Sequence, residues 1–294
     1  MRLLGPRVVL LAVLLAAVPL ACRRHAVEKP LAPTARVEKL GSRFDPKTTG
    51  NISGTVLWTD DLPEVAPLHV LLPVDGKGPL DVPNPNQPKI DAESREVEGV
   101  LVFLRKVELA VSKPWSHAPV SVVFTDTGLE VRQGAAPVSI GIVQLGDTVA
   151  CSAAVERNFV LVFRGIDFFS MPLPKPNLVT TRKFDKAGAV ELFCGRGRYW
   201  LHDYLWVSDH PYVTKSKADG SFELKRVPVG QYELVAWMPN WHYRADRNAE
   251  SAEIDRLAFE TPVEQKRYVT VTAGDTAETE FSWSISDFRP REND

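Results

Sequence analysis

The sequence predicts an all-β protein built as two antiparallel β-sandwiches, on three observations. Apolar runs of strand length recur at close intervals from Ile52 onward. Gly, Asp, Asn and Pro punctuate them, the residues that tight turns require. No stretch keeps a long 3.6-residue apolar period; residues 251–259 are at most one short helix.

The elements follow in chain order. Residues 1–22 read as a signal peptide: Arg2 and Arg7 precede an apolar run, 8–20, too short to span a bilayer comfortably. Ala21 and Cys22 fit the end of a lipobox, although Pro19 stands where leucine is usual. Cys22 is therefore the expected lipid attachment point. The mature chain is expected in the periplasm or on the outer surface, held to a membrane by its N-terminal lipid, or secreted if Cys22 is not lipidated. Residues 23–49, polar and carrying Pro30, Pro33 and Pro46, read as a flexible tether.

Residues 50–207 supply the first sandwich. ISGTVLW alternates from Ile52, VEGVLVFLRKV is a dense apolar run from Val97, and further runs follow with turns at 126–128 and at Gly146 and Asp147. The proline-rich stretch 63–91 reads as a long surface loop. After SDHPYV the pattern restarts. Residues 208–286 form the second, smaller sandwich, with turns at Asp219 and Gly220, at VPVG, and at Gly274 and Asp275. Residues 287–294 are a tail.

Composition narrows the function. Lys and Arg number 35 against 37 Asp and Glu, a net charge of −2, which gives no concentrated basic face for nucleic acid. The basic run Arg182, Lys183, Lys186, Arg196 and Arg198 reads as a solvated face. There is no glycine-rich phosphate loop, His-Glu-x-x-His or Gly-x-Ser-x-Gly, and no catalytic residue is assigned. Asp60 and Asp61 read as a solvated turn. Cys151 and Cys194 could pair; two buried thiols is the favoured reading.

The stretch DGSFELKRVPVGQYELVAW resembles the core of carboxypeptidase-regulatory-like, prealbumin-like modules, with an Asp-Gly turn, an aromatic, a hydrophobic strand, a Pro-x-Gly turn and Tyr-x-Leu. The part before it resembles bacterial exported cupredoxin-like (plastocyanin-like) proteins, whose last copper-fold segment runs Cys, His-Pro-Trp-Met, an aromatic strand and Asp-His-Pro-Tyr. Cys194, Trp200, residues 204–207 and the DHPY from Asp209 stand where that pattern places them. The resemblance implies a cupredoxin-like Greek key followed by the smaller prealbumin-like sandwich. It also implies ligand positions at or near Phe159, Cys194, Arg198 and Leu201.

Only Cys194 of those four offers a donor. A blue-copper site needs two imidazoles and a thiolate, and arginine cannot shed its proton to ligate. No cofactor is therefore expected. His202 and His210 are placed at the surface or the domain junction, with His210 bonding junction backbone. Trp200, Trp206, Tyr212 and Trp241 are expected where the two sandwiches meet. MPNWHYR has two readings: packing against the first sandwich, or a ligand platform of Trp237, Trp241, His242 and Arg244 for a sugar ring or peptide. Three functions stand: a non-catalytic binding or scaffolding protein of the envelope with a protein or polysaccharide partner, a copper electron-transfer protein with a rebuilt site, and a carbohydrate-binding accessory protein.

Overall fold

The computed structural model describes residues 40–70, 79–125, 128–195, 197–249 and 254–288. The signal segment 1–22 with Cys22, most of the 23–49 tether and the end of the tail lie outside the described residues. The described residues belong to one compact unit, Glu38–Asp294.

In chain order the strands begin with β1 (Thr49–Trp58), the short pair β2 (Leu68–Val70) and β3 (Leu80–Val82), and the pair β4 (Lys89–Ile90) and β5 (Val97–Glu98). Next come β6 (Leu101–Arg105), β7 (Val120–Phe124), β8 (Leu129–Gln133), β9 (Ala136–Pro137), β10 (Ile140–Gln144) and β11 (Thr148–Ala153). Then follow β12 (Phe159–Gly165), β13 (Phe169–Leu173), β14 (Thr180–Lys183), β15 (Gly188–Cys194) and β16 (His202–Ser208). The chain closes with β17 (Val213–Lys215), β18 (Ser221–Pro228), β19 (Gly230–Met238), β20 (Tyr243–Arg247), β21 (Ile254–Phe259), β22 (Val263–Val271) and β23 (Thr276–Trp283). The protein is all-β, as expected. Residues 254–259, where a short helix was allowed, form a strand because β20 offers a hydrogen-bonding partner. Part of the 63–91 stretch likewise forms β2, β3 and β4 rather than loop alone.

One sandwich sets the sheet β10-β16-β15-β12-β13 against β14-β11-β7-β8-β9. Val122, Phe124, Cys151, Phe159, Leu161, Cys194 and Leu205 fill its core. The other sets β18-β1-β23 against β17-β6-β19-β22 around Ile52, Trp58, Val102, Leu104, Phe222, Phe281 and Trp283. The sheets are mixed rather than purely antiparallel: β1 runs parallel to β23, β7 to β11 and β10 to β16.

Strand pairing cuts across the expected division at 207/208. β1 lies between β18 and β23, and β6 lies between β17 and β19. Two strands from the first half of the chain thus sit at central positions in the sheets of the C-terminal sandwich. The cause is that β6 has two apolar faces. Val102 and Leu104 enter the β1-side core, while Leu101 and Phe103 point the other way, into a cluster with Ile140, Ile142, Tyr204, Val235 and Trp237. A strand buried on both faces reads as an unbroken apolar run, which is why LVFL shows no alternation.

That third cluster joins the two sandwiches. Trp206 packs there, 4.3 Å from Phe103 between ring centres. The other three aromatics expected at the junction lie elsewhere. Trp200 belongs to the Phe124 core, and Tyr212 and Trp241 belong to the Trp58 core.

The turn at Asp219 and Gly220 forms as expected, with Gly220 at φ +65° and Ser221 N–H donating to Asp219 Oδ1. Only glycine fits, because a Cβ would lie 2.7 Å from the Val56 carbonyl oxygen.

Candidate functional site

The four positions implied as metal ligands do converge. β12 begins with Phe159, β15 ends with Cys194, and the connection from β15 to β16 carries Arg198 and Leu201. Cys194 N–H donates to Leu201 O at 3.1 Å, and Leu201 N–H donates to Arg198 O at 3.0 Å. Phe159 is 3% exposed and stacks on Phe124, with ring centres 4.3 Å apart and planes 1° from parallel. The Arg198 guanidinium lies over the Phe159 ring, 5.5 Å from its centre. Cation, ring and ring form one column at this end of the sandwich.

These residues do not fit a blue-copper ion. Phe159 and Leu201 have no lone pairs, Arg198 is a fixed cation, and Cys194 alone has a donor sulfur. Among the described residues no group of three His, Cys, Asp or Glu side chains is placed to hold a metal. Cys151 and Cys194 are not joined to each other. Burial pushes the Cys151 thiol up to about 12.

The histidines serve separate structural roles. Nε2–H of His210 donates to Leu104 O at 2.9 Å, while its Nδ1 accepts the Tyr212 N–H at 3.2 Å. The expected backbone bond at the junction is therefore present. Burial holds this imidazole below its ordinary value, and does the same at His117, which contacts Pro211 O. His202, expected at the surface or junction, is buried with its side chain 1% exposed. Its Nε2 lies 2.8 Å from Glu191 Oε1, and its ring packs on Phe259 and Tyr204.

The suggested platform divides. Trp241 packs in the core against Trp58 and Phe288, with Asn84 Nδ2–H donating to its carbonyl. His242 is half-buried beside it. The apolar environment of the β1 sheet captured this end of the motif. Trp237 and Arg244 instead line a cleft of about 700 Å³.

The floor of that cleft is the outer face of β12, β15 and β16, including Arg164, Glu191 and Tyr204. Trp237 of β19 supplies one wall, and the β20–β21 hairpin brings Arg244 and Phe259 over the other. Trp237 is only 4% exposed, with Tyr204 edge-on at 5.4 Å and Trp206 at 6.1 Å, so it offers no open ring face. Tyr204 accepts a hydrogen bond from Asn86 Nδ2, and burial holds its phenol well above the ordinary value.

Sequence reasoning missed Arg164, Glu191, His202, Tyr204 and Phe259 as neighbours. A signal existed: Glu191 interrupts GAVELFC and Arg164 directly follows the apolar run NFVLVF, each a charge placed in an apolar strand. What was missing was the register that sets Arg164 opposite Glu191.

No family model matches the chain, and no curated protein matches it. Part of it is similar to solved structures of amicyanin. The oxidised form of a methionine-to-leucine mutant is 14% identical, with 36% of this chain and 98% of that chain covered and a TM-score of 0.24. A methionine-to-alanine mutant with Cu(I) is 15% identical at the same coverages, with a TM-score of 0.25. A reduced tryptophan-to-tyrosine mutant is 13% identical, with a TM-score of 0.24.

Proposed function

We propose that this chain is a non-catalytic, lipid-anchored binding protein of the bacterial cell envelope, with a cupredoxin-like sandwich that carries no copper and a prealbumin-like module. The observation that supports the copper-free reading is the column Arg198, Phe159, Phe124. Where a blue site would offer imidazoles, this end of the sandwich offers a cation and an aromatic face. A metal cation beside Arg198 would be repelled, the more strongly as water is excluded. The binding role is supported by the cleft, whose volume falls in the range of small-molecule sites.

Purified protein incubated with Cu(II) and desalted is expected to stay colourless and to hold no stoichiometric copper. An intense visible band that disappears in Cys194→Ser would overturn this and make electron transfer the leading function. The triple substitution Phe159→His, Arg198→His and Leu201→Met is expected to create measurable Cu(II) affinity. If it binds none, the assignment of these four positions to a cupredoxin metal site is wrong.

A further inference from the structure

Arg164 and Glu191 are directly opposed on neighbouring antiparallel strands. Opposite charges so placed have Cβ atoms about 5 Å apart and ordinarily pair. Here they do not. Glu191 turns to His202, taking its Nε2–H on Oε1 at 2.8 Å. Its Oε2 makes no hydrogen bond among the described residues, although the side chain is only 19% exposed. Arg164 is left without an ionic partner among the described residues, and so is Arg244 across the cleft, whereas Arg256 on the same hairpin is paired with Asp246. The floor between them is held low by Gly165 and Ala189, and at Gly165 a Cβ would meet the Ala189 carbonyl oxygen at 2.3 Å.

The geometry points to this cleft as a site for a small ligand that carries a carboxylate and a hydrogen-bond donor on the same molecule. Arg164 and Arg244 take the carboxylate from the floor and from the hairpin, since guanidinium forks match that group. Glu191, fixed by His202, accepts the donor. Glu191, held by His202, gives the ligand one fixed contact, while Arg164 and Arg244 are open to solvent beside the more buried lining of Trp237, Tyr204 and Phe259. The buried Trp237 ring argues against recognition by sugar stacking alone. Hydroxyl-bearing sugar acids and zwitterionic amino acids or dipeptides share the required chemistry. This assignment rests on the reading of the protein as a binder, and copper loading does not depend on it.

The test is calorimetric titration of the full chain with digalacturonate and, separately, with dialanine, alongside digalactose and dialanine amide, which lack the carboxylate. One acid is expected to bind at one per chain, at least tenfold more tightly than its counterpart without the carboxylate. Arg164→Gln and Arg244→Gln should each weaken it at least tenfold. Arg267→Gln, whose guanidinium lies over Phe281 outside the cleft, should leave it unchanged. A preference for dialanine that Glu191→Gln abolishes identifies an ammonium donor, and a preference for digalacturonate identifies hydroxyls. Failure of both acids to bind, or binding indifferent to both arginine substitutions, overturns the assignment, and the copper measurement then still stands or falls separately.

Discussion

Phe159 stacks on Phe124 and carries the Arg198 guanidinium over its ring. Truncating it removes one ring of a buried stack, so Phe159→Ala is expected to cost roughly 3–5 kcal/mol. Arg198 is half-buried, and Arg198→Ala should cost only about 0.5–1 kcal/mol, the range for a partly solvated cation over a ring. Urea midpoints at constant slope would check both, and equal costs would mean that the column is not layered as described. At the other end of the chain, a fatty-acid label is expected on Cys22 and should disappear in Cys22→Ala; a label that survives rejects the lipid anchor. At this scale the sequence was partly legible. The grouping of Phe159, Cys194, Arg198 and Leu201 came only from the resemblance to cupredoxin-like proteins, since no spacing in the sequence brings Phe159 to the Cys194 end of the sandwich. Trp241 could not be placed, because an aromatic beside a turn can face either core, and the choice here falls to Trp58 and Phe288.

Strands were legible as strands, but their partners were not. An apolar run such as LVFL reveals that both faces of β6 are buried, and nothing in it names β17 and β19 as neighbours. The restart after SDHPYV reads as a self-contained module, yet its two sheets are completed by β1 and β6 from far upstream. Residues 208–286 expressed alone are therefore expected to remain unfolded by circular dichroism and amide dispersion. Their missing strands would leave β18, β23, β17 and β19 with open edges and Phe222, Phe281 and Trp283 uncovered. A folded fragment would show that β1 and β6 are accessories. A sharper probe is Gly54. A Cβ there would lie 2.0 Å from the Thr279 carbonyl oxygen, so Gly54→Val should destabilise the whole chain by several kcal/mol, of the order seen for overpacked cores or more.

Titration acts on the molecule as a whole. Burial lowers the imidazoles of His117 and His210 below the ordinary value near 6.5, so the unfolded chain binds these two protons first as pH falls. Stability therefore declines on going down from pH 6.5. Asp203 opposes this: burial raises its carboxyl well above the ordinary range, so the folded chain keeps a proton that the unfolded chain has released. Each net proton taken up by the unfolded chain is worth at most about 1.4 kcal/mol per pH unit, so the decline below pH 6.5 is shallower the more fully Asp203 keeps its proton. Replacing both histidines with asparagine should flatten or reverse that slope in urea melts. A slope unchanged by the double substitution would place the titration elsewhere.

The central position of β1 also sets a clock. Its partners lie at residues 221–228 and 276–283, so the strand finds its first neighbour only after about three-quarters of the chain has been made and its second near the end. At roughly 5–20 residues per second that delay is about ten seconds or more. Throughout it, Val56, Leu57 and Trp58 stay solvated in a nascent chain whose closing contacts are almost entirely non-local, the topology that folds slowest. A polypeptide obliged to stay open until its later strands emerge presents those apolar residues to other chains for the whole interval, so aggregation competes with folding.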